Sequence, residues 1–305
     1  MISFPTPHLE KLNATLENEK LPSSDKLRIK QALDRYYQWI DQLKQVEGCD
    51  ANAIRQMVAF LNDYRLYLDI DVIFDSENDF LHRQKGQLKL DNSVIEEFLP
   101  HLAVKCLGPQ IFSRKLEVGP STSLSSVYFN SSLNTAEHLS GFSVRTKNQD
   151  FAICLPLYLK ASHTPDFAVS VDREARIAYV AAECKTNLDK TMFQEACATA
   201  HDVKCAVTGA KYFLLCEWLD MTPVSTAPTD IDEVIILRKA KRVNSNVRHA
   251  YSTFTGRQAG RQIYKKYLLD HPLSVDMFER FIEKISRLIK NEDLIEDDVL
   301  ELGYF

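Results

Sequence analysis

The sequence lacks the features that would place it in a membrane or in a disulfide-stabilised class. No apolar run approaches the length of a bilayer-spanning helix. The N-terminal MISFPTPHLEKLN has no basic leader followed by an apolar core, which argues against a signal peptide. The seven cysteines are scattered singly, with no C-x-x-C pair. An odd number of cysteines without framework spacing predicts a reduced, cytoplasmic protein.

Internal repeats and low-complexity tracts are also absent, so neither a solenoid nor a disordered chain is indicated. The 305 residues are enough for one large domain or two smaller ones. The hydrophobic share of 45% and the charged share of 26% are ordinary for a soluble globular protein.

A net positive charge is missing, since the formal net charge is -5. The charge is nevertheless segregated along the chain. Residues 238–266, called the basic run below, contain nine Lys or Arg and no Asp or Glu, whereas the acidic residues dominate from Tyr267 onward. Such segregation can steer a polyanion to one face of a protein whose total charge is negative. The alternative is a solvated basic helix or loop without a partner.

Hydrophobic spacing predicts an α/β or α+β fold with a mixed central sheet flanked by helices. Residues 1–95 read as an N-terminal helical region for recognition or subunit contact, and residues 96–305 as the second domain. The Ser-, Asn- and Thr-rich segment that runs to about residue 140 is expected to form loops. Three strands are expected to start near Phe151, Asp166 and Ile177, with a turn at DREAR between the last two. Asp189 is placed as the N-cap of the helix that follows.

The segment from Ser162 to Ala196 carries the candidate chemistry. Glu183 and Lys185 lie two residues apart in a strand and therefore project on one face. If the chain turns at DREAR, Asp166 falls opposite Glu183, and two carboxylates meet one ammonium group. Such a pair needs a proton or a cation, and Mg²⁺ favours one or two carboxylates with water and phosphate oxygens. The backbone carbonyl of Cys184 is a further candidate ligand. The alternative is an exposed salt bridge at a strand end.

Two blocks of the sequence, SHTPDFAVSV and ECKTNLDKTMFQEA, resemble the PD-(D/E)xK nucleases. The longer block is similar to heterodimeric type II restriction endonucleases that cut asymmetric CCTNAGC-type sites (the Bpu-ten-I and BbvCI kind). The resemblance implies Asp166 and Glu183 as metal ligands, Lys185 as the catalytic lysine and Gln194 in a supporting role. It also implies Mg²⁺ dependence, a bacterial cytoplasmic setting and a related second subunit, with each subunit cutting one strand of double-stranded DNA.

Beside a nuclease site, DNA contact becomes the favoured interpretation of the basic run, because Lys and Arg alternate there with Asn, Gln and aromatic residues. The candidate DNA-binding residues are Lys241, Arg242, Arg248, Arg257, Arg261 and Lys265. Two alternatives stay open: a nuclease of repair or junction resolution, and a DNA-binding subunit that no longer cuts.

Overall fold

The computed structural model describes residues 4–130 and 141–290, together with residues 296, 300, 301 and 303. Its helices are α1 (Pro7–Glu17), α2 (Ser23–Gln45), α3 (Ala51–Tyr67), a π-helical segment (Leu68–Phe74), α4 (Asp79–Gln84), α5 (Ser93–Ser113), α6 (Lys190–Ala206), α7 (Ser245–Ala250), α8 (Phe254–Asp270) and α9 (Val275–Ile289). Its strands are β1 (Glu117–Phe129), β2 (Phe142–Ala161), β3 (Val171–Leu188), β4 (Lys211–Leu219) and β5 (Glu233–Ile236). Among the described helices, none is long and apolar enough to cross a membrane.

The five strands form one mixed sheet in the order β1-β2-β3-β4-β5. β1, β2 and β3 pair antiparallel, whereas β3, β4 and β5 pair parallel. Helix α6 connects β3 to β4, as a parallel crossover requires. The mixed sheet, the flanking helices and the N-terminal helical region confirm the fold class expected from the sequence.

The alternation of apolar residues along β3 explains why both faces of the sheet are covered. Val180, Ala182 and Cys184 belong to the larger core, which includes α1, α2, α3, α5 and α9. Ala181 belongs to the smaller core, in which Ala196 and Ala200 of α6 pack on the other face. Because successive side chains of a strand point to opposite faces, β3 serves both cores.

The N-terminal helices and the sheet share one apolar core, which is continuous across residue 95. α5 is buried on nearly every side, so it links the helical region to the sheet. The division into residues 1–95 and 96–305, and the recognition or contact role given to the first part, stay predictions.

A buried ion network joins the N-terminal helices to the sheet. Arg65 of α3 contacts Asp69 and, at 3.0 Å, Glu217 of β4. Arg238, which follows β5, lies 3.0 Å from Glu217 and 3.8 Å from Asp69. All four side chains are less than 7% exposed. Two arginines balance two carboxylates, and such balance is what allows charges to be buried.

Two expectations about the strands were wrong. The segment before residue 130 forms β1 rather than loops, while the rest of the expected loop region lies outside the described residues. DREAR does not form a turn, because its residues 172–176 lie inside β3. The chain turns instead at residues 162–170, between Ala161 and Val171, which pair with each other. Asp, Glu and Ala have low strand propensity, so it is the pairing of DREAR with residues 156–160 of β2 that holds it extended.

The expectation that Arg257 of the basic run binds DNA was also wrong, because this side chain is fully buried and unavailable to DNA. Its guanidinium donates five hydrogen bonds. The acceptors are the carbonyl oxygens of Phe74, Ser76, Asn78 and Tyr251 and the carboxylate of Asp79. Arg257 therefore attaches α8 to the segment that follows the π-helix.

We expect Arg257→Ala to lower the free energy of unfolding by about 3 kcal/mol or more, because it leaves buried carbonyl oxygens without donors. Urea unfolding followed by circular dichroism measures the change. Arg287→Ala is the matched control: its partner Glu283 is 2.5 Å away and both side chains are more than half exposed, so the loss should stay within about 0.5 kcal/mol. Equal effects of the two substitutions would contradict the anchoring role.

Candidate active site

The site begins where β2 and β3 stop pairing. Their ladder ends at Phe151 and Ala182. Beyond it, β2 continues against β1 while β3 continues against β4 up to Leu188. The backbone groups of Cys184 that face β2 therefore have no partner strand, and side chains must satisfy them.

Asp150 supplies one of these partners. The backbone N–H of Cys184 donates to its Oδ2 at 2.9 Å. Gly119 pairs with Ala152 and Ser121 with Gln149, so two residues of β2 face Pro120 alone. This bulge changes the direction in which the neighbouring β2 side chains point. Pro120 has no N–H to donate, which is compatible with an interruption of the hydrogen-bond ladder. Asp150 is thus turned toward β3 at the point where the strands separate.

Glu183 and Lys185 project on one face of β3, as the two-residue spacing predicts. Lys185 Nζ lies 2.6 Å from Glu183 Oε1. The hydroxyl of Tyr212, a buried residue of β4, donates to Glu183 Oε2 at 3.0 Å. Both side chains of the ion pair retain some exposure, 25% for Lys185 and 20% for Glu183, so solvent and a substrate can reach them.

Helix α5 and the turn before it complete the site. Asn92 Nδ2 donates to the Cys184 carbonyl at 2.9 Å and to Glu96 Oε1 at 2.9 Å. Lys89 Nζ lies 3.4 Å from Glu96 Oε1 and 3.9 Å from Asp150 Oδ1. Asn92 Oδ1 is buried and has no hydrogen-bond partner. An oxygen-rich cluster therefore surrounds the backbone of Cys184.

The electrostatics of the site show an excess of negative charge. Burial raises the pKa of Asp150, and the nearby charge of Glu183 raises it further, against the bond from Cys184 and the lysines. Burial and the charge of Asp150 likewise raise the pKa of Glu96. Three carboxylates, those of Glu96, Asp150 and Glu183, face the two ammonium groups of Lys89 and Lys185. A cation would relieve this imbalance.

The pKa of Lys185 is also raised, which for a lysine favours the charged form. Burial acts to lower its pKa, but the hydrogen bond to Glu183 and the charges of Glu183 and Asp150 outweigh burial and raise it. The side chain is therefore an ammonium group at neutral pH, when these carboxylates are ionised.

The donor set suits Mg²⁺ rather than a metal held by protein side chains alone. Within the described residues, no three His, Cys, Asp or Glu side chains form a group that could hold a metal ion. The carboxylates of Asp150 and Glu183 and the carbonyl of Cys184 are hard oxygen donors, the type that Mg²⁺ binds together with water and phosphate oxygens.

Asp166 does not lie at this site, contrary to the expectation from the sequence. It is an exposed residue of the hairpin turn, and Glu183 lies twelve residues beyond the start of β3. At about 3.3 Å per residue, this separation is about 40 Å along the strand. Asp166 accepts hydrogen bonds from the Thr164 hydroxyl and from Ala168 N–H, which lower its pKa. It therefore stabilises the turn.

Gln194 is not brought to the site by any described contact. It is an exposed residue of α6. The next residue, Glu195, acts electrostatically on Lys185 and raises its pKa. A shift of one residue rotates a side chain by about 100° around a helix, so this face of α6 presents Glu195 to the site.

Sequence reasoning missed Asp150 and Glu96. Asp150 lies 16 residues before Asp166, and Glu183 lies 17 residues after it. In a long hairpin, two residues equally distant from the turn lie opposite each other, so this symmetry could have identified Asp150. Glu96 had no comparable signal. Its neighbour Glu97 instead accepts hydrogen bonds from the backbone N–H of His8 and from the Tyr36 hydroxyl.

The remaining candidates of the basic run are partly engaged. Arg261 forms a bidentate pair with Asp75, with Nη2 2.6 Å from Oδ2. Arg242 and Arg248 share the carboxylate of Asp220, at 3.1 and 3.9 Å. Lys241 is exposed and Lys265 is half-buried. Their contact with DNA stays a prediction.

Comparison with known proteins identifies relatives of the chain. The model of the family described as Bpu10I restriction endonuclease matches residues 87–305. A solved structure entitled "native BbvCI A2B2 tetramer at low resolution" has a similar fold, with a TM-score of 0.58 and 17% sequence identity. The similarity covers 96% of this chain and 100% of that one. No curated protein matches.

We expect Asp150→Asn to stabilise the protein when no divalent ion is present. Folding raises the pKa of Asp150, so stability is lost as the pH rises through that pKa. In EDTA at pH 8, urea unfolding should show a gain on the order of 1 kcal/mol, and the gain should shrink as the pH falls through the raised pKa and vanish below about 4.

Asp172→Asn is the control for this substitution, because it removes one charge from an exposed position of the neighbouring strand β3. It should leave the unfolding midpoint nearly unchanged at both pH values. A loss of stability in Asp150→Asn at pH 8 would contradict the charge excess.

Proposed function

Because the chain belongs to the Bpu10I restriction endonuclease family, we propose that Asp150, Glu183 and Lys185 form its Mg²⁺-dependent active site. In this proposal the chain hydrolyses one strand of double-stranded DNA at a specific site. One observation carries it: two carboxylates and an ammonium group converge around the backbone of Cys184 where β2 and β3 separate. Asp150 takes the place that the sequence motif assigned to Asp166.

Asp150, Glu183 and the Cys184 carbonyl would hold the cation. When bound, Mg²⁺ polarises the phosphate and lowers the pKa of a coordinated water. Before binding, burial and the charge of Glu183 raise the pKa of Asp150, and the hydrogen bond from Cys184 N–H fixes the orientation of Asp150. The residues are thus in position before the substrate binds, and the carboxylates of the site then outnumber its ammonium groups.

Lys185 would stabilise the negative charge that develops on the phosphate. Its ammonium is held at 2.6 Å from Glu183, and its raised pKa keeps it protonated at neutral pH. A preorganised cation in a partly dehydrated site stabilises a developing oxyanion more strongly than water does. Tyr212 orients Glu183 by donating to its second oxygen.

Glu96, Asn92 and Lys89 would position this centre. Asn92 connects Glu96 to the Cys184 carbonyl, and Lys89 bridges Glu96 and Asp150. Partners of metal ligands commonly change metal affinity by about 10–100-fold when they are removed.

A related second subunit is part of the proposal. The chain spans nearly the whole of a protein whose title describes an A2B2 tetramer, and one active site per chain cuts one strand. Cleavage of both strands then requires a second site, which a related subunit would supply.

The first test compares Asp150→Asn with Asp166→Asn on supercoiled plasmid in Mg²⁺, with this chain assembled with any second subunit that it requires. Asp150→Asn should lower cleavage of one strand by on the order of 10²–10³-fold or more, since a ligand is lost. Asp166→Asn should cleave at nearly the wild-type rate. The reverse order of effects would reject Asp150 and restore the hairpin aspartate.

The second test separates Lys185 from the metal ligands. Lys185→Ala should lower the cleavage rate by on the order of 10²-fold or more, because the developing charge loses its partner. It should keep, or increase, the rise of melting temperature on addition of Mg²⁺, whereas Asp150→Asn should lose that rise. Normal cleavage by Lys185→Ala would remove the lysine from the mechanism.

A further inference from the structure

A second polar cavity lies at the other side of β3, where β3 and β4 end. It has a volume of about 210 Å³ and is called the strand-end pocket below. Thr186 of β3, Trp218 of β4 and the basic-run residues Arg242 and Arg248 are among its lining residues. Thr186 follows Lys185 directly, so the strand that carries the catalytic lysine also forms the wall of this pocket.

The lining of the strand-end pocket is predominantly cationic. Arg65, Lys85, Arg242 and Arg248 line it, and Asp69 and Asp91 are its carboxylates. Asp69 is already committed to Arg65 in the buried ion network. The pKa of His82, another lining residue, is lowered to about 4 by burial and by the charges of Lys85 and Arg257, which indicates a positive surrounding.

Two guanidinium groups in the pocket are incompletely paired. Arg242 and Arg248 share the single carboxylate of Asp220. The pKa of Arg248 is lowered by burial and by the charge of Arg242, so the two groups repel each other. The Nε atoms of Arg248 and Arg65 are both buried without a hydrogen-bond partner, and Arg65 is only 2% exposed. Buried N–H groups without acceptors are rare in folded proteins.

From this geometry we propose that the strand-end pocket binds a backbone phosphate of the substrate DNA. A phosphate supplies the acceptor oxygens and the negative charge that Arg242 and Arg248 lack, and guanidinium groups match it in a bidentate manner. This inference rests on the proposed function, because it places the phosphate on DNA that is bound for cleavage.

The aromatic residues of the pocket favour a phosphate over an extruded base. The Trp218 ring stacks on Tyr267 at 5.3 Å and lies 4.9 Å from the Arg238 guanidinium. Tyr251 packs edge-on against Phe74 at 5.0 Å. These rings are engaged within the protein, so the unsatisfied groups are the guanidinium donors.

The position of the pocket limits which phosphate it holds. Thr186 lies three residues beyond Glu183, which is about 10 Å along the strand at about 3.3 Å per residue. This distance corresponds to about three base-pair steps of B-DNA at about 3.4 Å each. The contact would set the register of the DNA against the active site, as phosphate contacts generally do.

The experiment scans single phosphates of a duplex that contains the recognition site. Each phosphate within about three nucleotides of the cut is replaced in turn by a neutral methylphosphonate, and binding to the assembled enzyme is measured in EDTA. For the wild type, one position should weaken binding by about tenfold. Arg248→Ala should weaken binding to the unmodified duplex similarly and should be insensitive to substitution at that one position.

Two further variants make the result specific. Arg242→Ala should reproduce the insensitivity at the same position, and each variant should lower the salt dependence of log K by about one phosphate contact. Arg287→Ala, which removes an exposed arginine of α9, should keep the wild-type profile. Melting curves establish that the variants are folded.

The outcomes separate this inference from the proposed function. If Arg248→Ala and Arg242→Ala keep the wild-type methylphosphonate profile, the strand-end pocket does not hold a phosphate, while cleavage that depends on Asp150 leaves the active site intact. If Asp150→Asn cleaves normally, the proposed active site fails whatever the scan shows. A uniform loss of affinity at all positions also rejects a local phosphate contact.

Discussion

The hydrogen bond from the Cys184 N–H to the Asp150 carboxylate is the interaction on which the site depends. It exists because β2 and β3 separate beyond Phe151 and Ala182. A continued ladder would have satisfied the same N–H with a backbone carbonyl, and no side chain would have reached it. The bulge opposite Pro120 turns Asp150 into the opening. The proposed active site is therefore built from an interruption of the sheet rather than from an added loop.

Charge is unbalanced in opposite senses on the two sides of β3. Around Cys184 the carboxylates outnumber the ammonium groups, and burial raises the pKa of Asp150 and Glu96. In the strand-end pocket, by contrast, the cations outnumber the free carboxylates. The buried network of two arginines, Arg65 and Arg238, and two carboxylates, Asp69 and Glu217, is balanced and joins α3 to the sheet. In the proposed function, the first region would bind the cation and the second a phosphate of the DNA, whereas the balanced network serves the fold.

The sequence supported correct predictions where chemistry depends on local spacing. Glu183 and Lys185 meet because residues two apart share a strand face, and Asp189 caps α6 by accepting from Met192 N–H. The mixed sheet was predicted correctly from the order of helices and strands along the chain. The expected position of Asp166 opposite Glu183 was wrong because it depended on where the hairpin turns. A shift of the turn moves its residues along the whole length of the strand. Arg257 was misassigned because a charge run does not reveal which of its members is buried.

By itself, the sequence determined the family resemblance, the alternation of β3 and the Glu-x-Lys pair on one of its faces, because these features lie within a single element or a single continuous segment. Only the tertiary structure decided which acid joins that pair, since Asp150 and Glu96 come from a different strand and a helix. It also decided which arginines are structural and which line a pocket. Contacts between distant segments depend on strand register and helix packing, and both are set by burial in the shared core rather than by spacing along the chain.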